Sequence, residues 1–251
     1  MQRTLRARSA LALLALAATL TLTLALTTAD TRAAATSATA ITVRVEGTTK
    51  TLVPTTAVRL GSASIVKDGK TADSCAGQSA AGALELATHG DWNGTWSASY
   101  KAYFLTSIEG LSFPSTGAEY WAFWVNDAPS ASGICGYHPK PGDSLLFFPD
   151  CYGKKCPQSA GVLGVKAAAV ATIGRPYTVS VTAYSDAKGT PSKAAGATVS
   201  AGGATAKTAA NGTAMLSFTR AGRFTLQVTK PNAIRDEALV CVQAAAAKTC
   251  G

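Results

Sequence analysis

Apolar and polar residues alternate along several short segments in the first half of the chain, as in half-buried β-strands. The segment 41–46, ITVRVE, is followed by Gly47 and predicts a strand with one buried face, one solvent-exposed face and a turn after it. Glu46, Glu85, Glu109 and Glu119 are all predicted to lie at the surface. Further extended segments are predicted at 51–60, 99–108 and 145–148.

One segment outside the N-terminal region has the composition and spacing of a helix. Residues 79–89, SAAGALELATH, begin with Ser79, a suitable N-cap, and are followed by Gly90, a residue that commonly ends helices. Leu84 and Ala87 are three residues apart and therefore share the helix face that is expected to pack on a sheet.

The segment 119–148 concentrates aromatic residues in two strand-like runs around a polar turn. Successive side chains of a strand point to opposite faces. The first run therefore places Tyr120, Ala122 and Trp124 on one face and Trp121, Phe123 and Val125 on the other. Small sheets usually bury only one face. Because both faces are apolar here, the second needs a cover: another part of the chain, a second domain or a ligand.

The composition changes after Cys156, where tryptophan disappears and Ala, Thr, Gly, Val and Ser dominate. Residues 157–166 are predicted to be a linker, and 167–251 an all-β sandwich, because short alternating strands recur with turn residues between them. Low-complexity disorder is disfavoured by the strict period-2 placement of apolar residues. The predicted strands are 177–184, 197–200, 213–219, 224–228 and 238–242, and the apolar positions are Leu216, Phe218, Phe224, Leu226 and Val228.

The N-terminal residues predict export. A basic start, an apolar run over 10–26 and small residues over 27–35 follow in the order of a Sec signal peptide. We therefore predict a signal peptide at 1–35, a short linker at 36–40 and a secreted protein that no longer contacts the membrane after cleavage. An uncleaved membrane anchor is the alternative, because the apolar run approaches spanning length.

The net charge excludes little beyond nucleic-acid binding. Removing residues 1–35 takes away four basic and one acidic residue, so the formal charge falls from +9 to +6. Nucleic-acid-binding proteins usually concentrate positive charge in a patch. Here Lys154–Lys155 is the densest basic group, so we expect no nucleic-acid partner, although acidic wall polymers could be attracted weakly.

Six cysteines in an exported chain predict disulfide bonds. Sequence cannot choose among the fifteen possible pairings. Short spacings make Cys151–Cys156 and Cys241–Cys250 attractive pairs, which would leave Cys75–Cys135. A zinc site is disfavoured because paired CxxC motifs are missing and only His89 and His138 could assist.

Residues 41–148 resemble the secreted domain family DUF4430, which is similar to the C-terminal domain of transcobalamin. The resemblance rests on the ordered segments ITVRVEG, SAAGALELATHG, YWAFWVND and PKPGDSLLFF. Val125–Asn126 and Gly142–Asp143 match the family pattern, whereas Asp127 stands where the family has glycine. The resemblance implies a β-grasp domain over 41–156, a curved sheet wrapped over one helix, and suggests binding of a soluble ligand. In transcobalamin such a domain encloses cobalamin beside a helical barrel. This chain has no helical barrel, so half of that cobalamin site is missing.

Residues 159–251 resemble the bacterial Ig-like and prealbumin-like domains of surface proteins. The segment GATVSAGGATAKTAANGTAMLSFTRAGRFTLQVTK carries that resemblance, and the Ala/Thr bias is similar to that of high-GC bacteria. Together with the first domain, this implies a mainly β fold: a β-grasp-like α+β domain with one helix, followed by an Ig-like β-sandwich. In such surface proteins the sandwich is commonly a spacer or an adhesive module.

No convincing catalytic set is present in the sequence, so we expect no enzymatic activity and no cofactor or metal. His89 and His138 have no neighbouring nucleophile motif, and no GxSxG occurs. The aromatic residues are better candidates for stacking on a small flat ligand, a glycan or a wall polymer. The candidate ligand-binding residues are Trp92, Trp96, Tyr120, Trp121, Trp124, Asn126 and Tyr137, with the loop 126–137 as the main contact region.

These features predict a secreted, non-catalytic ligand-binding or adhesion protein. The alternative is a structural or wall-associated spacer without a small-molecule ligand, in which both aromatic faces are buried between the two domains.

Overall fold

The computed structural model describes residues 41–113, 117–153, 161–185, 188–244 and 250. The predicted signal peptide and the linker 36–40 lie outside these residues. Strands dominate the described residues, as predicted. No helix in these ranges has the length and apolar run that crossing a membrane requires. We call residues 41–153 the N-terminal half and residues 161–250 the C-terminal half.

The N-terminal half is built on a mixed five-stranded sheet in the order β2-β1-β10-β8-β9. Strand β1 runs parallel to β10 and antiparallel to β2, and β8 lies antiparallel to β10. These strands are β1 (Ile41–Glu46), β2 (Thr51–Val58), β8 (Glu119–Val125), β9 (Ala128–Pro129) and β10 (Ser144–Cys151).

One helix and two small sheets complete this half. Helix α1 contacts β1, β2 and β3, and Leu84 and Ala87 are buried, as their spacing predicts. A separate sheet in the order β5-β6-β7 lies outside the five-stranded sheet. The elements are β3 (Ile65–Val66), β4 (Ser74–Cys75), α1 (Ala80–Ala87), β5 (Trp92–Ser97), β6 (Ala102–Ile108) and β7 (Leu111–Ser112).

Helix α1 begins and ends close to the predicted positions but with different contacts. Ser79 occupies the N-cap position, yet its hydroxyl donates to the carbonyl oxygen of Ala76 at 2.6 Å rather than capping the helix. At the other end His89 adopts a left-handed conformation with φ 51°, and the Gly90 N–H donates to the Glu85 carbonyl at 2.8 Å. The helix therefore ends in a Schellman-type turn with histidine at the position where glycine is usual.

Strand β1 does not have the solvent-exposed face that its alternating pattern predicts. Its apolar residues face the core beneath helix α1, but Arg44 and Glu46 on the other face are also buried. Glu46 is only 1% exposed, so its predicted surface location is wrong. Glu119, by contrast, is exposed as predicted. The second face of β1 is covered by the C-terminal half.

The C-terminal half consists of two five-stranded sheets facing one another, consistent with the predicted sandwich. One has the order β14-β13-β11-β19 with β17 paired to β13, and the other has the order β12-β20-β18-β15-β16. The strands are β11 (Gly161–Ala167), β12 (Val170–Thr172), β13 (Tyr177–Tyr184), β14 (Pro191–Lys193), β15 (Thr198–Ala201), β16 (Ala204–Lys207), β17 (Thr213–Leu216), β18 (Gly222–Thr229), β19 (Ala233–Ile234) and β20 (Asp236–Gln243).

The core of this half follows the predicted period-2 pattern. Leu216, Phe218, Leu226 and Val228 are buried, and the half-buried Phe224 packs against them. The predicted linker 157–166 needs a correction, because its residues from Gly161 onward belong to β11, which pairs with β13 from Val162 to Ala167. The linker prediction followed the change in composition after Cys156, whereas β13 and β19 provide backbone partners for the residues from Gly161 onward. Residues 157–160 lie outside the described part of the chain.

Two predicted disulfides are present. Cys75 is bonded to Cys135, with their Cα atoms 4.8 Å apart, and Cys241 is bonded to Cys250, with their Cα atoms 5.2 Å apart. Cys151 is also disulfide-bonded, while Cys156, its predicted partner, lies outside the described residues. The Cys75–Cys135 bond connects β4 to the loop after β9, across 60 residues of sequence.

The two halves meet along a seam with an apolar part and an ionic part. In the apolar part Ala122, Leu146 and Phe148 are buried against Val162, with Trp124 and Ile234 packed around them. One predicted face of the aromatic strand is thus covered largely by the second half of the same chain. Its opposite face, with Trp121, Phe123 and Val125, packs into the core of the N-terminal half.

The ionic part of the seam surrounds the buried side chains of β1. Arg44 Nη1 lies 3.1 Å from Glu46 Oε1 and 2.8 Å from Asp236 Oδ1, and it donates to the carbonyl oxygen of Arg235 at 2.7 Å. Arg235 Nη1 lies 3.3 Å from Glu46 Oε2 without hydrogen-bond geometry. Thr51 also donates its hydroxyl to Glu46 at 3.0 Å. Two arginines and two carboxylates therefore pair across the seam.

Burial perturbs both carboxylates of this network. Desolvation raises the pKa of Glu46 to about 7, although Arg44, Arg235 and the Thr51 hydroxyl act in the opposite direction. Desolvation also raises the pKa of Asp236 against the effect of Arg44 and of the Val165 N–H, which donates to it at 2.6 Å. We therefore expect the stability of the seam to depend on pH.

Candidate ligand-binding cleft

A cleft of about 750 Å³ lies beside the aromatic strand β8, between the two halves. It exists because β9 pairs with β8 only at Trp124 and Val125, so that within the described chain no strand pairs with the outer edge of residues 119–123. The remaining walls come from β6, from the loop 129–136 and from Gly161, Val162, Tyr184 and Ser185 of the C-terminal half. Its volume falls within the usual range for small-molecule sites.

Aromatic rings form much of the cleft wall, and several of them are solvent-exposed. Tyr100 is 75% exposed, Phe104 56% and Tyr120 41%. The rings of Tyr100 and Phe104 meet edge to face, with centroids 5.4 Å apart and an interplanar angle of 83°. Exposed aromatic rings grouped in a concave site are typical of a surface that binds another molecule. The full aromatic lining is Tyr100, Tyr103, Phe104, Tyr120, Trp121, Phe123, Trp124, Phe148 and Tyr184.

One carboxylate, Asp150, lies among these rings. It is half-buried, and the Tyr120 hydroxyl donates to its Oδ2 at 3.0 Å while the Cys151 N–H donates to its Oδ1 at 2.8 Å. Desolvation, and then the charge of Asp150, raise the pKa of Tyr120 to about 12. Tyr120 therefore remains a neutral donor at physiological pH and fixes the orientation of the Asp150 carboxylate.

Trp121 lines the cleft from the core side. It is only 7% exposed, and its ring packs against Phe113 with centroids 5.5 Å apart. Its indole Nε1 has no hydrogen-bond partner among the described residues. Trp124 is half-buried and packs edge to face on Phe148, at 5.7 Å. Both tryptophans thus combine a position on the cleft wall with a packing role.

Trp92 and Trp96, two other predicted ligand-binding residues, lie away from the cleft. Trp92 is buried in the core, donates its Nε1–H to Glu85 at 2.7 Å and lies beneath Lys67 Nζ, 4.6 Å from the ring. Trp96 packs edge to face against Tyr103 at 5.0 Å. In hairpin β5–β6 Trp92 lies opposite Ile108 and Trp96 opposite Tyr103, and both tryptophans pack in the core of the N-terminal half. The structure therefore does not bring them into the cleft lining.

Asn126 and Tyr137 meet at Asp143 rather than in the cleft. Asn126 donates to Asp143 Oδ1, and the Tyr137 hydroxyl to Oδ2, both at 2.8 Å. Burial acts to raise the pKa of Asp143, but these donors and the Lys140 N–H outweigh burial and lower it. Burial together with Asp143 raises the pKa of Tyr137 to about 12. The cluster fastens the turn after β8 to the start of β10.

The turn after β8 also accounts for the departure from the family pattern. Asn126 and Asp127 have φ of 51° and 65°, the left-handed values that a two-residue hairpin turn requires at both positions. Asparagine and aspartate tolerate this conformation better than other non-glycine residues. Asp127 can therefore replace the glycine expected there. The loop 129–136 that follows is part of the predicted contact region 126–137 and supplies one cleft wall.

The cleft residues that the sequence analysis did not single out include Tyr100, Phe104, Tyr184 and Asp150. Phe104 had a usable signal, because it neighbours Tyr103 on a strand and so must face the opposite side from that buried ring. Tyr184 had no such signal in the sequence, since its position depends on how the C-terminal half packs.

Among the described residues, no three His, Cys, Asp or Glu side chains are grouped so as to hold a metal ion.

Comparison with known proteins identifies one family. Residues 81–148 match the family described as a domain of unknown function, DUF4430, which spans less than half of the chain. This agrees with the resemblance seen in the sequence. No curated protein matches the chain.

Solved structures show only remote similarity. A complex of the Porphyromonas gingivalis RgpB pro- and mature domains is 18% identical over 32% of this chain and 19% of its own length, with a TM-score of 0.26. A protein from Ruminococcus gnavus, for which metal binding has been suggested, is 13% identical over 46% of this chain and 99% of its own, with a TM-score of 0.32. The Arg-specific cysteine proteinase gingipain R is 16% identical over 40% of this chain and 22% of its own, with a TM-score of 0.26.

Proposed function

We propose that this protein is an exported, non-catalytic ligand-binding or adhesion protein whose ligand occupies the cleft beside β8. The observation that carries the proposal is the group of solvent-exposed rings, Tyr100, Phe104 and Tyr120, inside a concave site of about 750 Å³. Large exposed rings lose favourable free energy by remaining in water, and stacking on a ligand would recover it. A small flat ligand, a glycan or a segment of wall polymer has the faces that such rings bind.

Export is supported by two independent features. The N-terminal residues have the basic, apolar and small-residue order of a signal peptide. The two described disulfides are typical of oxidising compartments outside the cytosol. These features together favour a secreted protein, released from the membrane after cleavage of residues 1–35.

We also propose a β-grasp fold for the N-terminal half and an Ig-like fold for the C-terminal half. A mixed sheet with a parallel β1–β10 pair and a helix packed on it favours a β-grasp interpretation of the N-terminal half. Two facing antiparallel-rich sheets favour an Ig-like interpretation of the C-terminal half. Both folds serve in many proteins with unrelated activities, so the cleft rather than the fold supports ligand binding.

Thermal unfolding in the presence of candidate ligands tests the proposal. The purified, oxidised protein is screened against corrinoids, haem, glycans and wall polymers. A ligand present at 100 times its dissociation constant stabilises the folded state by about 2.7 kcal/mol, enough to raise the unfolding midpoint measurably. Phe104→Ala should abolish that shift, because Phe104 contributes an exposed ring to the cleft. Leu239→Ala, which removes another exposed apolar side chain, on β20 and outside the cleft lining, is the control and should retain the shift.

A spacer function is the second candidate, and the seam favours it. Ala122, Leu146 and Phe148 are buried against the C-terminal half, which is how a rigid rod of two domains would use the second face of its aromatic strand. A spacer predicts that no member of the panel shifts the midpoint and that Phe104→Ala changes no binding property. A ligand whose shift survives in Leu239→Ala but disappears in Phe104→Ala would contradict the spacer alternative.

A further inference from the structure

The cleft lining has an unusual charge composition for this chain. The protein carries 23 lysines and arginines and has a formal charge of +9. Yet none of the described residues that line the cleft is a lysine, arginine or histidine, and one of them, Asp150, is a carboxylate. Burying an anion there would leave its charge without a partner, which is costly. The lining therefore disfavours anionic ligands.

Asp150 is held in place without a cationic partner. Its two donors, the Tyr120 hydroxyl and the Cys151 N–H, are both neutral. Within the described residues no lysine or arginine forms an ion pair with it, whereas the carboxylates of the seam each pair with arginine. A half-buried carboxylate in an aromatic site gains most from a positively charged partner, since the low dielectric strengthens the attraction.

The aromatic walls add to this preference. A cation over the face of an aromatic ring is attracted by the negative charge of the π-system, and desolvated cases are stronger than exposed ones. Tyr100 and Phe104 stand at 83° to one another, so their faces point in two directions at one corner of the cleft. Tyr120 adds a third exposed ring next to Asp150. Aromatic rings combined with one carboxylate are the groups that bind alkylated ammonium ions in water.

The rings prefer cations, and the described lining residues include one carboxylate and no basic side chain. From these observations we propose that the cleft binds a small organic cation, an amine or quaternary ammonium compound. This inference rests on the proposed function and names the chemical class of its ligand. The charged head lies between Asp150 and the exposed rings. The apolar part of the ligand lies along the β8 edge towards Val162, where the lining is uncharged.

A pair of ligands that differ only in charge tests the inference. Choline and its neutral carbon analogue, 3,3-dimethylbutan-1-ol, have the same shape, and ligand-detected NMR titration measures weak binding of both. We expect choline to bind at least about tenfold more tightly than the alcohol, the factor that 1.4 kcal/mol of cation–π and carboxylate attraction gives. Competition with tetramethylammonium should displace choline, because the head group carries the recognition.

Two variants locate the binding site on the protein. Asp150→Asn keeps an acceptor for the Tyr120 hydroxyl but removes the charge, and it should weaken choline binding about tenfold while leaving the alcohol unaffected. Phe104→Ala should weaken choline binding as well. Asp91→Asn, at an exposed carboxylate outside the cleft, is the matched control and should change nothing.

Several results would overturn the inference without deciding the proposed function. Equal affinities for choline and the alcohol, or choline binding that is unchanged in Asp150→Asn, would show that charge is not recognised. No choline binding up to about 10 mM, weaker than the millimolar range, would do the same. If a neutral glycan or flat ligand then still shifted the unfolding midpoint through Phe104, the cleft would be a ligand site for an uncharged class. If no ligand depended on Phe104, the proposed function would also fail.

Discussion

The seam and the cleft are neighbouring regions between the same two halves, and they are built in opposite ways. In the seam, Phe148 and its neighbours are buried, and the charges of Arg44, Glu46, Arg235 and Asp236 pair within 3.3 Å. In the cleft, aromatic rings remain exposed, and Asp150 has only neutral donors among the described residues. The difference shows which contacts the chain uses to hold itself together and which it leaves available to another molecule.

Removing a charge from the seam should have the largest effect on the free energy of unfolding. Arg44→Ala leaves Glu46 and Asp236 buried without their shared partner, and breaking a buried pair in this way costs about 3–5 kcal/mol. Urea denaturation should show this loss of unfolding free energy. Arg59→Ala, at an exposed arginine, serves as the control and should change it by less than about 0.5 kcal/mol. A similar small change in both variants would mean that the network does not stabilise the seam.

The pH dependence of stability should show the next largest effect of the seam. The pKa of Glu46 is raised from its ordinary value of 4.5 to about 7, so the folded state favours the protonated carboxyl. The stabilisation that the protonated Glu46 carboxyl gives the folded state is fully present below pH 4.5 and is lost as the pH rises through about 7. The raised pKa of Asp236 acts in the same direction. We expect the free energy of unfolding to fall by an amount on the order of 3 kcal/mol between pH 4.5 and 8.

Glu46→Gln provides the matched control for that pH profile. Glutamine resembles the protonated carboxyl and cannot ionise, so the decrease between pH 4.5 and 8 should become much smaller in this variant. Urea titrations at several pH values would measure it. An unchanged profile in Glu46→Gln would assign the pH dependence to other groups, Asp236 among them, and contradict the role of Glu46.

The smallest stability effect is expected in the cleft. Phe104→Ala removes an exposed ring and should change the unfolding free energy by less than about 0.5 kcal/mol, as most surface substitutions do. Phe148→Ala, the same substitution at a buried ring of the seam, should cost about 3–5 kcal/mol. Denaturation of both variants under one condition makes the comparison direct. A large loss in Phe104→Ala would show that this ring supports the fold rather than a ligand.

The sequence predicted most elements because their signals are local. Period-2 patterns located β8, β13 and β18, and the three-residue spacing of Leu84 and Ala87 located the buried face of helix α1. Two disulfides followed from cysteine spacing and elimination. The match of residues 81–148 to DUF4430 agrees with motifs that are visible in the sequence.

The failures share a single cause. Arg44 and Glu46 have the polar side chains of an exposed strand face, and nothing near them in sequence reveals Arg235 and Asp236, which lie about 190 positions further along and bury them. Among the predicted ligand-binding residues, Trp92 proved to be core, and Asn126 and Tyr137 proved to hold a turn. An aromatic residue has the same local pattern whether it packs in a core or lines a cleft.

Local sequence patterns were enough to predict the mainly β class, the single described helix, the two faces of the aromatic strand and the export signature, because each depends on residues close together in the chain. The surroundings of that strand, β8, depend on the tertiary structure. The C-terminal half covers one of its faces, and its outer edge lines the cleft. Burial of Glu46 and exposure of Phe104 both depend on which surfaces meet. Both therefore depend on how segments that are distant in the sequence pack together, and local sequence patterns do not contain that information.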